Sequence, residues 1–247
     1  MNKIRLLARR YLTRSTRRRL ALMAVWPPVG WVRFGHLRRL KPFSSDYGNS
    51  RGLEIDRYYI EKFLSEFATS IQGHVLEIKH NTYTKRFGGD RVTKSDVLHP
   101  IDGNPDATII ADLSNADRLP SDTFDAIIFT QTLQVIYDIK TTVSTLYRIL
   151  KPGGTLLVTV SGMAKISRQD FDTWGEYWRF TSLSARLLFE EVFPSNRVIV
   201  RSYGNVLAAV AFLQGLACED LKLKELNFVD PDYEILIAIR AVKPDNM

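Results

Sequence analysis

Three acids stand where a nucleotide-binding fold does its chemistry. Glu77, Asp96 and Asp112 each follow or close a short apolar run: His-Val-Leu-Glu-Ile at 74–78, Arg-Val-Thr-Lys-Ser at 91–95 and Ala-Thr-Ile-Ile-Ala at 107–111. Glu77 and Asp96 lie nineteen positions apart, close to the interval of about 20 residues at which a βαβ unit brings a carboxylate to ribose hydroxyls. A carboxylate suits that position because it can accept a bond from both hydroxyls. For a base that removes a hydroxyl proton, the residues on offer are His80, beside the loop after the first run, and Glu176, inside Asp-Thr-Trp-Gly-Glu-Tyr-Trp-Arg. Phe171, Trp174 and Trp178 recur at helical spacing around Glu176, either as a stripe covering a core or as an aromatic wall on which a sugar ring stacks.

The elements that must carry these residues read as an alternation of strands and helices. Further apolar runs at 125–130 and 155–160 are short and rich in β-branched residues, as in strands buried on both faces of a parallel sheet. A helical stripe runs from Tyr59 to Ile71 and Gly73 ends it, while 141–150 supplies a crossover helix stopped by Lys-Pro-Gly-Gly at 151–154. Later come helices near 182–192 and 205–216, with strands at 197–202 and 233–241. The fold class is therefore α/β: a Rossmann-like, mostly parallel seven-stranded sheet with helices on both faces, preceded by a basic helical extension.

That extension differs from the body in charge. The 247 residues carry 34 Lys and Arg against 27 Asp and Glu, a net +7. Twelve of those bases, from Lys3 to Lys41, precede the first acid at Asp46, so residues 1–45 are +12 and the rest −5. A division into an arm, 1–50, and a body, 51–247, follows. Ile4, Leu7, Ala8, Tyr11 and Leu12 share one face of a basic amphipathic helix, and Trp26, Trp31 and Phe34 stand beside arginines, which suits an anionic membrane surface. The apolar stretch from Leu20 to Val32 is too short to span a bilayer and is broken by Pro27-Pro28. A helix docked on the body and a nucleic-acid contact are the other readings of the arm, the last disfavoured by the lack of an RNA-binding module. One cysteine, Cys218, asks for no oxidising compartment, so the expected location is cytoplasmic, with peripheral attachment to the inner face of the membrane.

Val-Leu-Glu-Ile at 75–78, Asp96, Ala-Asp-Leu at 111–113, Arg-Leu-Pro-Ser-Asp-Thr-Phe-Asp at 118–125, Thr-Gln-Thr-Leu-Gln at 130–134 and Leu-Lys-Pro-Gly-Gly at 150–154 together resemble the ordered motifs of class I S-adenosylmethionine-dependent methyltransferases of type 11. The stretches 51–61 and 178–185 resemble bacterial members associated with glycan and polysaccharide assembly. This resemblance implies S-adenosyl-L-methionine as cofactor and no metal. It places Glu77 near the methionine end, Asp96 on the ribose, Asp112 and Leu113 at the adenine, and Thr130 to Gln134 at the acceptor mouth; the aromatic content of 171–181 separately suggests Trp174 and Tyr177 against the acceptor. The glycine loop is degenerate: Lys79, Asn81 and Tyr83 replace the family's glycines, and Lys79 either pairs with the cofactor carboxylate or obstructs it. The implied function is methyl transfer to a hydroxyl of a small molecule or glycan. An inactive binding protein on the same fold and an RNA methyltransferase are the alternatives.

Overall fold

The computed structural model describes residues 31–245, preceded by Thr13, Ser15, Thr16, Val25 and Pro27. The amphipathic helix expected over 4–12 and Trp26 lie outside the described residues. The chain divides into two compact units, Met1–Lys41 and Pro42–Met247. In the first, a 3-10 turn occupies Gly35–Leu37, and Trp31, Phe34 and Leu40 are exposed. The second begins before the expected boundary at 51. Phe43 N donates to Gln214 O at 2.7 Å, and the Tyr47 ring packs on Phe212 with centroids 5.7 Å apart.

Helix α1, Ile55–Glu66, buries Ile55, Tyr59, Ile60, Phe63 and Leu64 on one face. It stops short of the expected Ile71, and a 3-10 turn, Ala68–Ser70, carries the chain onward. Seven strands follow: β1 Gly73–Ile78, β2 Val92–His99, β3 Ile109–Ile110, β4 Phe124–Thr130, β5 Leu150–Ser161, β6 Val198–Tyr203 and β7 Leu236–Val242. Their order across the sheet is β3-β2-β1-β4-β5-β7-β6. Only β7 runs antiparallel to its neighbours. Helices α2 Ile139–Ile149, α3 Arg168–Thr173, α4 Ser182–Glu190, α5 Val206–Leu213 and α6 Leu223–Asn227 complete the body. One apolar core packs α2 and α4 on one face of the sheet and a second packs α1 and α5 on the other, so both faces are covered, as parallel strands require.

The largest departure from expectation is β2. It was expected to end at Ser95, with Asp96 closing it, yet the strand continues to His99. A carboxylate can sit inside a strand when its bonds are met, and Asp96 meets them across the sheet with His74 Nε2 at 2.6 Å and Thr108 Oγ1 at 2.8 Å. Conversely, β3 forms over only two residues instead of 107–111. The stripe expected through Phe171, Trp174 and Trp178 is not one helix: α3 stops at Thr173, and Gly175, at φ +84°, turns the chain away.

Candidate active site

In parallel strands the carboxyl ends share one edge, and the order reverses between β1 and β4, where an open α/β sheet leaves a crevice. Ile78, His99, Thr130 and Ser161 end the four strands that face it.

Glu77 is buried near the end of β1. Its carboxylate accepts from Tyr83 N at 3.1 Å, Thr84 N at 2.7 Å and Thr84 Oγ1 at 2.7 Å. Burial pushes its carboxyl up, and these three bonds only partly offset that. Glu77 therefore shapes the loop that follows it. Lys79 adopts φ +71°, the left-handed conformation that glycine takes without strain. Both its backbone groups are held, N–H by Leu98 O at 3.0 Å and C=O by Asn104 Nδ2 at 2.7 Å. The loop thus keeps a glycine-like backbone at a lysine, whose side chain is exposed. His80, half exposed, donates through Nδ1 to Asp106 at 3.0 Å, which leaves Nε2 as an acceptor in the neutral ring.

Asp96 lies inside β2, level with Leu76 of β1, three residues back from the edge. Burial raises its carboxyl, but bonds from His74, Lys94 and Thr108 outweigh that and hold it below the usual range. At the edge itself stands His99, which sequence reasoning missed. Its Nδ1 lies 2.6 Å from Ile101 O. A carbonyl oxygen only accepts, so Nδ1 carries the proton and Nε2 offers a lone pair. The ring meets Trp174 edge-on at 5.8 Å. The signal available in the sequence was the His-Pro pair at 99–100, since proline closes a strand more reliably than a satisfied carboxylate does.

Asp112 caps the 3-10 turn Leu113–Asn115, accepting from Ser114 N at 2.9 Å and Ser114 Oγ at 2.7 Å. Leu113 is buried in the core below. Beyond Thr130, Gln131 takes φ +48° and Gln134 is buried. Gln134 Nε2 and Ser161 Oγ both donate to Gln131 Oε1, at 2.7 and 2.8 Å. Among the described residues no partner reaches Gln131 Nε2, Gln134 Oε1 or Thr159 Oγ1, although all three are buried. Buried polar atoms are normally paired, because each orphan costs about 1–3 kcal/mol.

The chain after α3 closes over this edge. Gln134 O accepts from Tyr177 N at 2.8 Å, and Trp178 Nε1 donates to Ile136 O at 3.1 Å. The Tyr177 ring meets Tyr137 at 5.3 Å. Trp174, Tyr137 and Tyr177 thus form an aromatic rim, with Trp174 on His99. Glu176 braces the rim from within: its side chain, 5% exposed, pairs with Arg179 at 2.8 Å and accepts from Ser167 N at 2.8 Å. The structure brings Gln134, Trp174 and Tyr177 together; it commits Glu176 to bracing and holds Asp96 away from the edge. Behind the rim, Lys165 Nζ lies 3.6 Å from the centre of the Tyr47 ring.

Residues 61–158 match the family model described as a methyltransferase domain. Over that stretch the chain is similar to a methyltransferase domain. A search of curated proteins finds no match. Among solved structures, an S-adenosylmethionine-dependent methyltransferase from Archaeoglobus fulgidus shares the fold of this domain, with a TM-score of 0.50 at 12% identity over 75% of this chain and 98% of that one. A Bacillus halodurans protein described as a putative methyltransferase aligns with a TM-score of 0.48 at 12% identity over 75% of this chain and 98% of that one. Phosphoethanolamine N-methyltransferase 2 of Haemonchus contortus aligns at 0.49 and 14% identity over 82% of this chain and 61% of its own. The domain has the Rossmann-like methyltransferase fold, and the strand order with β7 antiparallel is part of it.

Proposed function

We propose that the methyltransferase domain moves the methyl group of S-adenosylmethionine to a hydroxyl of a small molecule or glycan, and that the basic arm holds the enzyme at an anionic membrane surface. The observation that carries the first part is the set of orphaned polar atoms, Gln131 Nε2, Gln134 Oε1 and Thr159 Oγ1, at the carboxyl ends of β4 and β5. A ligand with both donors and acceptors would satisfy them, and the amino and carboxylate groups of the cofactor's methionine end have that character. The residues present fit such a group. His99 Nε2 at the end of β2 can accept from one ribose hydroxyl, and Asp112 with Leu113 stands at the end of β3.

When bound, S-adenosylmethionine supplies an electrophilic methyl group on a sulfonium. The protein's part is to align the acceptor oxygen behind that carbon and to take the hydroxyl proton. His80 suits the second task, since Asp106 fixes Nδ1–H and turns Nε2 into the proton acceptor. Trp174 and Tyr177 offer flat faces to the apolar side of a sugar ring. The replaced glycines favour a second reading, a binding protein on the same fold, because Lys79, Asn81 and Tyr83 carry side chains at positions where bare glycine backbone would approach the cofactor. Calorimetric titration with S-adenosylmethionine and its demethylated product separates the two. Binding of both, weakened severalfold in His99→Ala, supports the enzyme; a folded wild type that binds neither refutes it. Trp174→Ala and Tyr177→Ala should then impair acceptor use while leaving cofactor affinity unchanged.

No helix among the described residues is long and apolar enough to cross a membrane, so the proposed attachment is peripheral. The arm of +12 with Trp26 and Trp31 supplies charge and interfacial aromatics together.

A further inference from the structure

Helix α5 has the wrong surface for a helix facing water. Its inner side, Ala208, Ala209, Ala211 and Phe212, is buried in the second core. The outer side presents Val206, Leu207, Val210 and Leu213, 50, 45, 37 and 45% exposed. A surface helix ordinarily turns charged or polar residues outward, but from Ser202 to Cys218 the chain contains no Asp, Glu, Lys, Arg or His. The helix is firmly seated. Asn205 Oδ1 caps it by accepting from Ala208 N at 3.0 Å, and Asn205 Nδ2 donates to the carbonyls of Glu225 and Phe228 at 2.7 and 2.8 Å.

We propose that this outer face of α5 is a membrane-docking surface that acts with the basic arm. Two observations select a lipid surface as the occupant. The first is connectivity: Phe43 N is bonded to Gln214 O, one residue beyond the end of α5, and the last base of the acid-free +12 segment, Lys41, precedes Phe43 by only two residues in the sequence. The second is charge. The body outside the arm carries a net −5, which opposes its approach to anionic headgroups, whereas α5 offers them no carboxylate. Basic charge and inserted aliphatic side chains are the two signals that stable peripheral attachment needs. At about 1.5 Å per residue the eight residues of α5 reach roughly 12 Å, long enough to lie in the headgroup plane and far too short to span. A second copy of the chain is the weaker occupant, since a stable dimer takes roughly 20–30 residues a side and this patch has four.

The inference deepens the membrane reading of the arm and is independent of methyl transfer. The test is flotation of the full chain with phosphatidylcholine vesicles, with and without phosphatidylserine, for wild type and the double variant Leu207→Glu, Leu213→Glu. Both side chains point outward, so circular dichroism and urea midpoints should match wild type. We expect wild type to float with the anionic vesicles and the variant to partition at least about tenfold less. In a second measurement Leu207→Cys, in a Cys218→Ala background, carries an environment-sensitive fluorophore that should shift to the blue on anionic vesicles. A folded double variant that floats like wild type, or a label that does not shift, overturns the docking face and leaves the arm as the sole anchor. A wild type that floats with neither vesicle overturns both. A dimer that the variant dissociates, without flotation, assigns the face to a second copy and overturns the lipid surface.

Discussion

Asp96→Ala should behave as a stability mutant. Its carboxylate accepts from His74 Nε2 at 2.6 Å and Thr108 Oγ1 at 2.8 Å within a largely buried site, and from Lys94 Nζ at 3.0 Å at its margin. Buried charge-assisted bonds contribute about 1.5–3 kcal/mol each. The Lys94 side chain is 62% exposed, so that pair contributes at most about 1 kcal/mol. Removing the carboxylate also strands His74 and Thr108, so the expected loss is about 3–5 kcal/mol. With a urea dependence of roughly 2–3 kcal/mol per molar, the midpoint should fall by about 1–2 M. The sign of the pH dependence follows from the lowered carboxyl. Asp96 contributes its stability above the ordinary 3.8 of an unfolded aspartate, and the contribution is lost as pH falls through the still lower folded value. The gap between wild type and variant should therefore narrow in acid. His99→Ala is the matched control. It should cost little stability and weaken cofactor roughly 3–10-fold, the worth of one neutral hydrogen bond. Equal urea midpoints for wild type and Asp96→Ala, with a tenfold loss of cofactor affinity in the variant, would refute this division of labour.

Lys79→Gly should raise stability by about 0.5–1 kcal/mol in a urea melt, because φ +71° strains a lysine more than a glycine loses in unfolded-state entropy; weaker cofactor binding in the same variant would show that the ammonium pairs with the ligand. Glu77 is protonated more readily in the folded chain than at its ordinary 4.5, so its contribution to stability falls as pH rises through that window. Glu77→Gln should flatten this decline in a pH series of thermal melts. The Cys218 thiol is pushed up to about 12, chiefly by burial and then by Glu219 and Asp56. Thiolate-directed disulfide reagents at pH 8 should modify it about a thousandfold more slowly than a free cysteine until denaturant is added.

The strands of the sheet were legible wherever an apolar run was bounded by turn residues, as at 125–130 and 155–160, because burial on both faces leaves a continuous signature. Strand order was not in the spacing and came only with the structure. The end of β2 was hidden for a specific reason. A carboxylate in a run of residues reads as the edge of a strand, and nothing near Asp96 in the sequence announces that His74, twenty-two positions earlier, presents its Nε2 across the sheet. The strand therefore ends three residues later than expected, at His99. The helix imagined through 171–178 had its warning in Gly175 between Trp174 and Trp178. The orphaned amides of Gln131 and Gln134 were beyond sequence reading, since they arise from a backbone at positive φ that brings two glutamines three apart face to face.

Tyr47 gives the aromatic rim an unexpected tether. One side of its ring rests on Phe212 of α5, and the ammonium of Lys165, from the segment that leads into the rim, sits over it at 3.6 Å. Its backbone is itself held at φ +64°, so it yields little by local rotation. The stretch by which the arm enters the body is thus a short mechanical link between α5 and the cover of the crevice. Under the proposed attachment, a load on the arm would pass through one aromatic side chain to the segment carrying Trp174 and Glu176, so that the entrance to the crevice would feel the surface beneath it.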